Sequence, residues 1–481
     1  MRVLYSALTI LLIIFFSPLP PDTYGQEQNV DQTSTGYQHP LPVLKDPKLK
    51  VEIAADGLTV PTGIAFLDKD NILVLKRYSG TYEDPLGGVT TVNLVKNGQL
   101  QEKPVLKVLS GICDFKNPPP GCGTYNERGL LGITSRIINN TNSTLAGNVD
   151  VFLYYTEITL TGQILGNRVY KYLWDGNRLI NPTLILDLPA SPGPGHNGGK
   201  VLIGPDGFLY TVIGDQDQDP FYYSADIYPG AQRSGQLQNI KDGGIPDNTS
   251  VILRVNPENG LPAPGNPFIS NATINKGTFD SGNATGLNRY YAYGIRNSFG
   301  LAFDPVTGNL WDTENGKGQY DEINLVNPGF NSGWRTVMGP ILRTNVTEEE
   351  LVNFPGSKYS DPKFSWNQTI GVTDLEFFNS TELGTNYSNN LFVGDYNTGS
   401  LYLFKINKNR DGIEFNENQT DLLDHVADDS VERAKNVLGT GFDIITDIKT
   451  GPDGYLYIVS YSEYSKSHIP NVSRIYRIVP S

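Results

Sequence analysis

A pattern of paired apolar runs recurs along the chain and constrains its fold more than any other feature. In each copy an apolar run leads into a tight polar turn, in two copies Pro-Asp-Gly, and a second apolar run follows. Such turns need backbone angles that Asp and Gly adopt easily, so each copy predicts a β-hairpin. The copies begin at Pro61, Leu202, Gly300 and Lys449.

Hairpins repeated in this way are typical of a β-propeller, in which units of four short strands are arranged around a ring. The intervals between the copies are filled by the strand-like runs Val151–Glu157, Arg168–Leu173, Val251–Val255 and Leu391–Phe404. Residues 47–481 suit six enlarged blades better than seven or eight. The sequence therefore predicts an all-β, six-bladed β-propeller, with a long sandwich or two β-domains as the alternatives.

The composition agrees with many strands joined by many turns. The 481 residues include 51 glycines and 32 prolines but only two methionines, and polar residues crowd between the short apolar runs. Only Thr347–Asn353 and Ser430–Val437 are interpreted as short helices. The last strand, Ser473–Val479, is expected beside Val51–Ile53, because propellers often close their ring by pairing the two ends of the chain.

The N-terminal segment predicts export. Arg2 supplies a positive charge, and Val3–Phe16 is almost entirely apolar before a proline-rich stretch. This run is shorter than the roughly 20 residues of a membrane-spanning helix, so residues 1–25 are interpreted as a signal peptide, with an uncleaved N-terminal anchor as the alternative. Residues 26–46 are expected to be a linker, and 47–481 the propeller domain. We expect the protein to be secreted or held at the extracytoplasmic cell surface.

The charge of the chain limits its partners. The formal net charge is −14, and no run is rich in Lys or Arg. Such a chain has no electrostatic footprint for nucleic acid. Membrane contact is expected only through the possible N-terminal anchor.

Cys113 and Cys122 are the only cysteines, and the eight residues between them include three prolines and a glycine. In an oxidising compartment such a pair is expected to form a disulfide that closes the loop. A metal site is the alternative, but no further Cys or His lies near the pair in the sequence.

Gly195–Lys200 carries the histidine best suited to chemistry. The chain has four histidines, and His196 alone lies between a glycine and an Asn-Gly-Gly sequence. Glycines allow backbone and substrate to approach closely, and imidazole titrates near neutral pH, so it can take a proton. A turn histidine that caps a hairpin is the alternative interpretation.

Further segments combine polar side chains with glycine, and their order along the chain is informative. They are Glu127–Gly132, the block from Gly195 to Asp215, Tyr293–Phe303, Thr313–Gly316, Asp321–Leu325 and Asn331–Trp334. In this order they resemble the glucose/sorbosone dehydrogenase family, whose best-studied members are soluble quinoprotein sugar dehydrogenases. The resemblance covers most of the propeller domain and implies a six-bladed propeller, in agreement with the repeats.

The resemblance implies catalytic roles for three residues. His196 would be the general base that takes a sugar hydroxyl proton while hydride passes to pyrroloquinoline quinone (PQQ). Asp215 would orient the imidazole and stabilise its cation. Arg296 would face the quinone oxygen and stabilise developing negative charge.

The resemblance also implies a cofactor site. Glu127, at a position that is often Gln in the family, and Asn297 would contact PQQ. The main-chain oxygens of Gly316 and Lys317 would bind the accompanying calcium ion. Proline often stands at the second of these positions, and a carbonyl ligand tolerates that change.

Three positions depart from the family pattern. PQQ-binding members hold the cofactor's carboxylates with a lysine and two arginines, and these positions match Asn397, Ile444 and Thr446 here. Burying a tricarboxylate without cations is costly. The sequence therefore predicts a retained fold and general site but leaves the anchoring of PQQ open. Candidate substitutes from other positions are Arg433, Lys435 and Lys449.

Structural interpretations stand beside these roles. Arg296 is also a candidate for an ion pair with Asp321 or Glu322 between blades. Asp215 is also typical of a turn, and Trp334 of a hydrophobic core.

Three functions remain in view. The favoured one is an exported dehydrogenase that uses PQQ and calcium, oxidises a small-molecule sugar and passes electrons to an external acceptor. The alternative is a non-catalytic cell-surface propeller that binds carbohydrate or protein, since a fold does not fix function. A calcium-dependent hydrolase is the third, but the sequence offers no compelling set of carboxylates for it.

Overall fold

Antiparallel strand pairing dominates the part of the chain that the computed structural model describes, which comprises residues 40–77, 88–111, 127–138, 145–190, 193, 195–216, 235–268, 286–462 and 473–481. These residues belong to one unit, Pro40–Ser481. The predicted signal peptide and the pair Cys113 and Cys122 lie outside the described residues, so the proposed disulfide stays a prediction.

The described strands follow one another along the whole unit with few interruptions. In the first part they are β1 (Val43–Leu44), β2 (Leu49–Leu58), β3 (Pro61–Phe66), β4 (Asn71–Lys76), β5 (Val89–Lys96), β6 (Gln99–Leu100), β7 (Leu106–Leu109), β8 (Leu130–Ile137), β9 (Val149–Ile158), β10 (Ile164–Trp174) and β11 (Leu179–Leu188). In the middle they are β12 (Val201–Ile203), β13 (Leu209–Ile213), β14 (Val251–Val255), β15 (Tyr290–Tyr293), β16 (Gly300–Phe303), β17 (Leu310–Glu314), β18 (Gln319–Val326), β19 (Phe330–Asn331) and β20 (Lys358–Tyr359). In the last part they are β21 (Phe364–Gln368), β22 (Val372–Phe377), β23 (Leu391–Asp395), β24 (Ser400–Phe404), β25 (Val426–Ala427), β26 (Val437–Thr440), β27 (Ile444–Thr450), β28 (Leu456–Tyr461) and β29 (Ser473–Pro480).

Helices are few and short among the described residues, and none is long and apolar enough to cross a membrane. The helix predicted at Ser430 is confirmed as α1 (Ser430–Ala434), although it ends earlier than predicted. The segment predicted from Thr347 contains only a 3-10 turn, Glu348–Glu350. The other 3-10 turns are Gln236–Gln238, Gly286–Arg289, Ile341–Arg343 and Thr420–Leu422.

The described strands pair into six sheets, which we number by their order along the chain. Sheet I contains β3 to β7, sheet II β8 to β11, and sheet III β12 to β15 with β19 and β20. Sheet IV contains β16 to β18 with β21 and β25, sheet V β22 to β24 with β26 and β1, and sheet VI β27 to β29 with β2.

One edge strand of each sheet lies innermost, and these strands close a ring. They are β3, β8, β12, β16, β22 and β27. Each packs against the innermost strand of the next sheet, and β27 packs against β3. The predicted all-β propeller is therefore confirmed.

The core lies between neighbouring sheets, and strand β9 shows why. Alternate side chains of a strand point to opposite faces. Val151 and Leu153 accordingly join the cluster shared with sheet I, whereas Phe152 and Tyr154 join the cluster shared with sheet III. A strand covered on both faces must be apolar throughout, which explains the continuous apolar run from Val151.

The predicted hairpins are confirmed at all four repeat copies, as the pairs β3–β4, β12–β13, β16–β17 and β27–β28. In the Pro-Asp-Gly copies the turn aspartate is tied to the second strand. The Tyr210 hydroxyl donates to Asp206 (2.8 Å), and the Tyr457 hydroxyl donates to Asp453 (2.7 Å). Gly207 adopts φ +79°, a conformation that favours glycine at this point of the turn.

The two ends of the described unit meet in sheet VI. Val51 pairs with Ile478 and Ile53 with Tyr476, so the predicted closure by the last strand is confirmed. Strand β1 pairs with β26 of sheet V. Ordered pairing therefore begins at Val43, inside the segment 26–46 that the sequence predicts to be a linker.

Candidate active site

The segments that precede the innermost strands meet the segments that follow their hairpin partners at one end of the ring. Antiparallel pairing has this consequence because the start of one strand lies beside the end of the next. We call this end the site face and define it by residues 127–129, 195–200, 214–216, 294–299 and 314–318. Four of the six polar segments singled out in the sequence contribute to this face, whereas Asp321–Leu325 lies in β18 and Asn331–Trp334 begins in β19.

His196 and Asp215 form a hydrogen-bonded pair on the site face. His196 Nδ1 lies 2.6 Å from Asp215 Oδ1. The side chains are 15% and 1% exposed, respectively. Since Nδ1 is engaged by the carboxylate, Nε2 is the nitrogen that can exchange a proton with a ligand. The carboxylate can also stabilise an imidazolium ion.

The second oxygen of Asp215 accepts a hydrogen bond from Trp334, for which the sequence predicts a place in the hydrophobic core. Trp334 is buried, at 6% exposure, and its indole N–H donates to Asp215 Oδ2 at 2.7 Å. The guanidinium carbon of Arg296 lies 5.3 Å from the centroid of the same indole ring. The core interpretation is therefore incomplete, because this side chain contacts two of the predicted site residues.

Arg296 makes hydrogen bonds to neighbouring site segments through both its main chain and its side chain. Its carbonyl accepts the N–H of Asp215 (2.9 Å), and its Nη1 donates to the Asn315 carbonyl (2.8 Å). The alternative of an ion pair with the acids at 321 and 322 is wrong for the described contacts. Asp321 accepts the Gly316 N–H instead, and the other carboxylate accepts a main-chain N–H from residue 339.

Glu127 links two site segments. Its Oε2 accepts the main-chain N–H of His196 (2.5 Å) and the side-chain N–H of Asn297 (3.0 Å). These contacts connect five of the six residues assigned to catalysis or cofactor contact, and the five lie at the ends of strands of sheets II, III and IV. The sixth, Asn397, follows β23 of sheet V, and its main-chain N–H donates to the Ile370 carbonyl (3.1 Å).

Several buried polar atoms on the site face have no hydrogen-bond partner within the described part of the chain. They are Arg296 Nε, Asn297 Oδ1 and Gln216 Oε1. Buried polar groups in native proteins are nearly always paired, with protein, water or ligand. One donor and two acceptors are thus open to a polar ligand.

A buried carboxylate lies behind Arg296. Glu314 accepts the Arg296 N–H and the Ser332 hydroxyl, both at 2.6 Å. Burial raises the pKa of Glu314 to about 7, although these hydrogen bonds oppose the shift. Burial likewise raises the pKa values of Asp312 and Glu322.

The loop after β17 contains main-chain carbonyl oxygens of the kind that a hard cation prefers. An ideal Cβ at Gly316 would lie 2.0 Å from the Gln319 carbonyl oxygen and 2.4 Å from that of Tyr320. Only glycine fits this close approach, which gathers main-chain oxygens beside the predicted ligands Gly316 and Lys317. Calcium prefers such oxygens. No group of three or more His, Cys, Asp or Glu side chains in the described residues could hold a metal ion.

The three positions expected to anchor PQQ do not fit its carboxylates. Asn397 is exposed and uncharged, Ile444 is buried, and the Thr446 hydroxyl donates to the Pro61 carbonyl (3.0 Å). None offers a cation to a tricarboxylate, and an unpaired buried carboxylate is unfavourable.

Lys200, four residues after His196, is already neutralised. Its ammonium lies 2.6 Å from Asp374 and 2.7 Å from Asp447; both carboxylates are buried, and the lysine side chain is only 9% exposed. They come from the innermost segments of sheets III, V and VI, so the ion pairs cross the centre of the ring. Burial opposes the charge, but the two carboxylates raise the pKa of Lys200 above its ordinary value.

Comparison with known proteins gives a consistent result. The family model for glucose/sorbosone dehydrogenase matches residues 58–467. The chain belongs to the glucose/sorbosone dehydrogenase family. It is therefore an enzyme, an oxidoreductase of the class that includes the quinoprotein sugar dehydrogenases.

Individual relatives agree with this assignment. The chain is 24% identical over 415 residues to the aldose sugar dehydrogenase YliI of Escherichia coli, an alignment that covers 86% of this chain and 90% of the relative. Over 186 residues, 38% of this chain and 34% of the relative, it is 32% identical to quinoprotein glucose dehydrogenase B of Acinetobacter calcoaceticus.

Solved structures share the fold. A putative oxidoreductase (glucose dehydrogenase) of Thermus thermophilus superposes with a TM-score of 0.60 at 25% identity, covering 90% of this chain and all of the other. The PQQ-bound aldose sugar dehydrogenase of Streptomyces coelicolor gives a TM-score of 0.55 at 21% identity, covering 92% of this chain and all of the other.

Sequence reasoning missed three residues of the site region. Trp334 was assigned to the core, and Glu314 and Lys200 were given no role. The Gly-Trp dipeptide at the end of a polar block was a usable signal for Trp334. Glu314 and Lys200 act through partners more than ten residues away, and one sequence contains no record of such pairings.

Proposed function

We propose that this family member oxidises a CH–OH group of a sugar, as an aldose dehydrogenase. The observation that carries the proposal is the hydrogen-bonded His196–Asp215 pair beside Arg296 on the site face. This arrangement supplies a base, an anion that supports its protonated form, and a cation for developing negative charge. Family membership favours this over the non-catalytic binding propeller.

The residues of this chain divide the reaction as follows. The sugar hydroxyl proton passes to Nε2 of His196 as the C–O bond becomes a carbonyl. Asp215 holds the imidazole through Nδ1 and offsets the charge that it gains. A two-electron acceptor of the quinone class, when bound, would supply the oxidation by taking the hydride of the same sugar carbon. Arg296 would face this acceptor and offset negative charge on it.

PQQ is the acceptor that the family resemblance implies. When bound, such a quinone would take up the hydride, which carries both electrons of the oxidation. Arg296 and Asn297 suit its carbonyl end, whereas Asn397, Ile444 and Thr446 do not suit its carboxylates. The proton chemistry at His196 is the same whichever quinone takes the hydride.

We further propose that the protein works outside the cytoplasm, which the signal-like N-terminal segment supports. We also propose that each of the six sheets is one blade of a six-bladed ring. Support comes from the closed order of their innermost strands.

Purified protein with calcium, a panel of aldoses and a redox dye is expected to reduce the dye only when an aldose is present. Two acceptors are supplied in parallel, PQQ and an ortho-quinone without carboxylates. The Asp215→Asn variant is the matched control and is expected to turn over more slowly, because it keeps the base but loses its supporting charge. Absence of aldose-dependent reduction with both acceptors would contradict the proposal.

Calcium is expected to raise the melting temperature whether or not PQQ binds. A ligand that binds only the native state stabilises it by mass action, and the main-chain oxygens around Gly316 suit a hard cation. Thermal unfolding is measured across a titration from chelator to calcium, with magnesium as the control. An unchanged melting curve would count against a calcium site here.

A further inference from the structure

We infer that Trp334 is a positioning residue for both charged members of the site, and that its indole N–H sets the strength of Asp215 as a support for His196. This inference rests on the proposed function for its catalytic meaning. The contacts that carry it exist independently of any reaction, so it has its own test.

The main chain at Trp334 is held by hydrogen bonds on both sides. The main-chain N–H of Trp334 donates to the Gly294 carbonyl (3.1 Å), and the Trp334 carbonyl accepts from the Asn239 side chain (3.0 Å). Gly294 begins the segment that carries Arg296. The position of the indole is therefore coupled to the segment whose guanidinium lies over its ring.

The indole N–H is the second hydrogen bond to a buried carboxylate. Asp215 is 1% exposed, with one oxygen bonded to His196 and the other to Trp334. A buried anion depends on such donors, since no water replaces one that is lost. The indole N–H therefore stabilises part of the negative charge of Asp215 that otherwise only His196 would offset.

The consequence for proton uptake has a definite sign. When the imidazole of His196 is neutral, the negative charge of Asp215 is not compensated within the His196–Asp215 pair. When the imidazole is protonated, the net charge of the pair is zero. Loss of the indole N–H destabilises the first state more than the second, so His196 takes up its proton at higher pH. Two cations face the indole ring, with the guanidinium carbons of Arg296 and Arg335 at 5.3 and 5.9 Å from its centroid. Of the nearby anions, Glu127 accepts the His196 main-chain N–H and Glu314 accepts the Arg296 main-chain N–H.

The test compares Trp334→Phe with Trp366→Phe. Trp366 is also buried, but its indole N–H finds no hydrogen-bond partner among the residues that the structure describes, so this variant controls for loss of ring volume. Carbon-labelled histidine is followed by NMR against pH in the protein without added cofactor, with the His196 signal assigned by its absence in His196→Asn. The titration midpoint is expected to rise by about one pH unit in Trp334→Phe and to stay in place in Trp366→Phe.

An unmoved midpoint in Trp334→Phe, or equal movement in both variants, would overturn the inference. If Trp334→Phe does not fold, benzothienylalanine at position 334 keeps the ring and replaces its N–H with sulfur. Turnover gives a separate readout, in which kcat is expected to fall about tenfold while the acid limb of its pH profile moves upward. If the midpoint moves in Trp334→Phe but the wild-type protein has no aldose activity, the result would support the inference and contradict the proposed function.

Discussion

His196→Ala is expected to lower the turnover of an aldose about 100- to 10,000-fold, because general-base catalysis is worth roughly that much. Folding is expected to survive. The side chain belongs to no hydrophobic cluster, and its loss removes one hydrogen bond to Asp215, which keeps its bond to Trp334. Steady-state dye reduction gives the rate, and thermal unfolding reports on stability.

His425→Ala is the matched control for this variant. Both histidines are in the left-handed region, at φ +55° and +64°, so alanine meets a similar backbone penalty at each position. His425 Nδ1 lies 2.9 Å from the Lys363 carbonyl oxygen in sheet IV, away from the site face. Equal loss of turnover in both variants would show that His196 acts through stability and is not the base.

The propeller was predictable because its information is local. The Asp-Gly turns and the apolar runs around them specify hairpins within about a dozen residues. The sequence does not predict the hairpins β8–β9 and β22–β23 as copies of the repeat, because their connections, residues 138–148 and 378–390, are longer than the tight turns of the four copies. Of the two predicted helices, one is shorter than predicted and the other is only a 3-10 turn, because local propensity is a weak guide to the extent of short helices.

Site residues that lie near each other in the sequence could be predicted, but contacts between residues far apart in the sequence could not. His196 and Asp215 lie 19 positions apart, on either side of one hairpin, so the sequence pattern alone brings them close. Trp334 reaches Asp215 from 119 positions away, and Asp447 reaches Lys200 from 247. The first pairing depends on β19 joining sheet III beside β15, and the second depends on the closed ring. A single sequence shows the residues that enter such pairs but not which of them will pair.

Lys200→Met is expected to destabilise the native state by about 3 to 5 kcal/mol, the usual cost of removing one partner from a buried ion pair. Asp374 and Asp447 would remain buried at the centre of the ring without the ammonium between them. Lys449 lies 3.8 Å from Asp447 and offsets part of this charge. Urea unfolding at pH 7.5 measures the loss.

Two controls separate charge from packing. Lys50→Met breaks a solvent-exposed pair with Glu52 and is expected to cost at most about 1 kcal/mol. Lys200→Met combined with Asp374→Asn and Asp447→Asn removes all three charges and is expected to recover much of the stability, since neutral replacements of buried ion groups are often tolerated. A triple variant as unstable as the single one would mean that the lysine stem, and not its charge, is required.

The pH dependence follows from the two carboxylates sharing one ammonium. Burial and the neighbouring charge of Asp447 raise the pKa of Asp374 to about 7. The contribution of Asp374 to stability is therefore fully present when the pH is below the ordinary pKa of aspartate, and it is lost as the pH rises through 7. Burial opposes the shift, but Lys200 and Lys449 lower the pKa of Asp447 to about 2, so its contribution is lost only as the pH falls toward 2. Asp374→Asn is therefore expected to flatten the fall in stability between pH 4 and 7. If the slope in that window is unchanged, the excess proton of this cluster does not reside on Asp374.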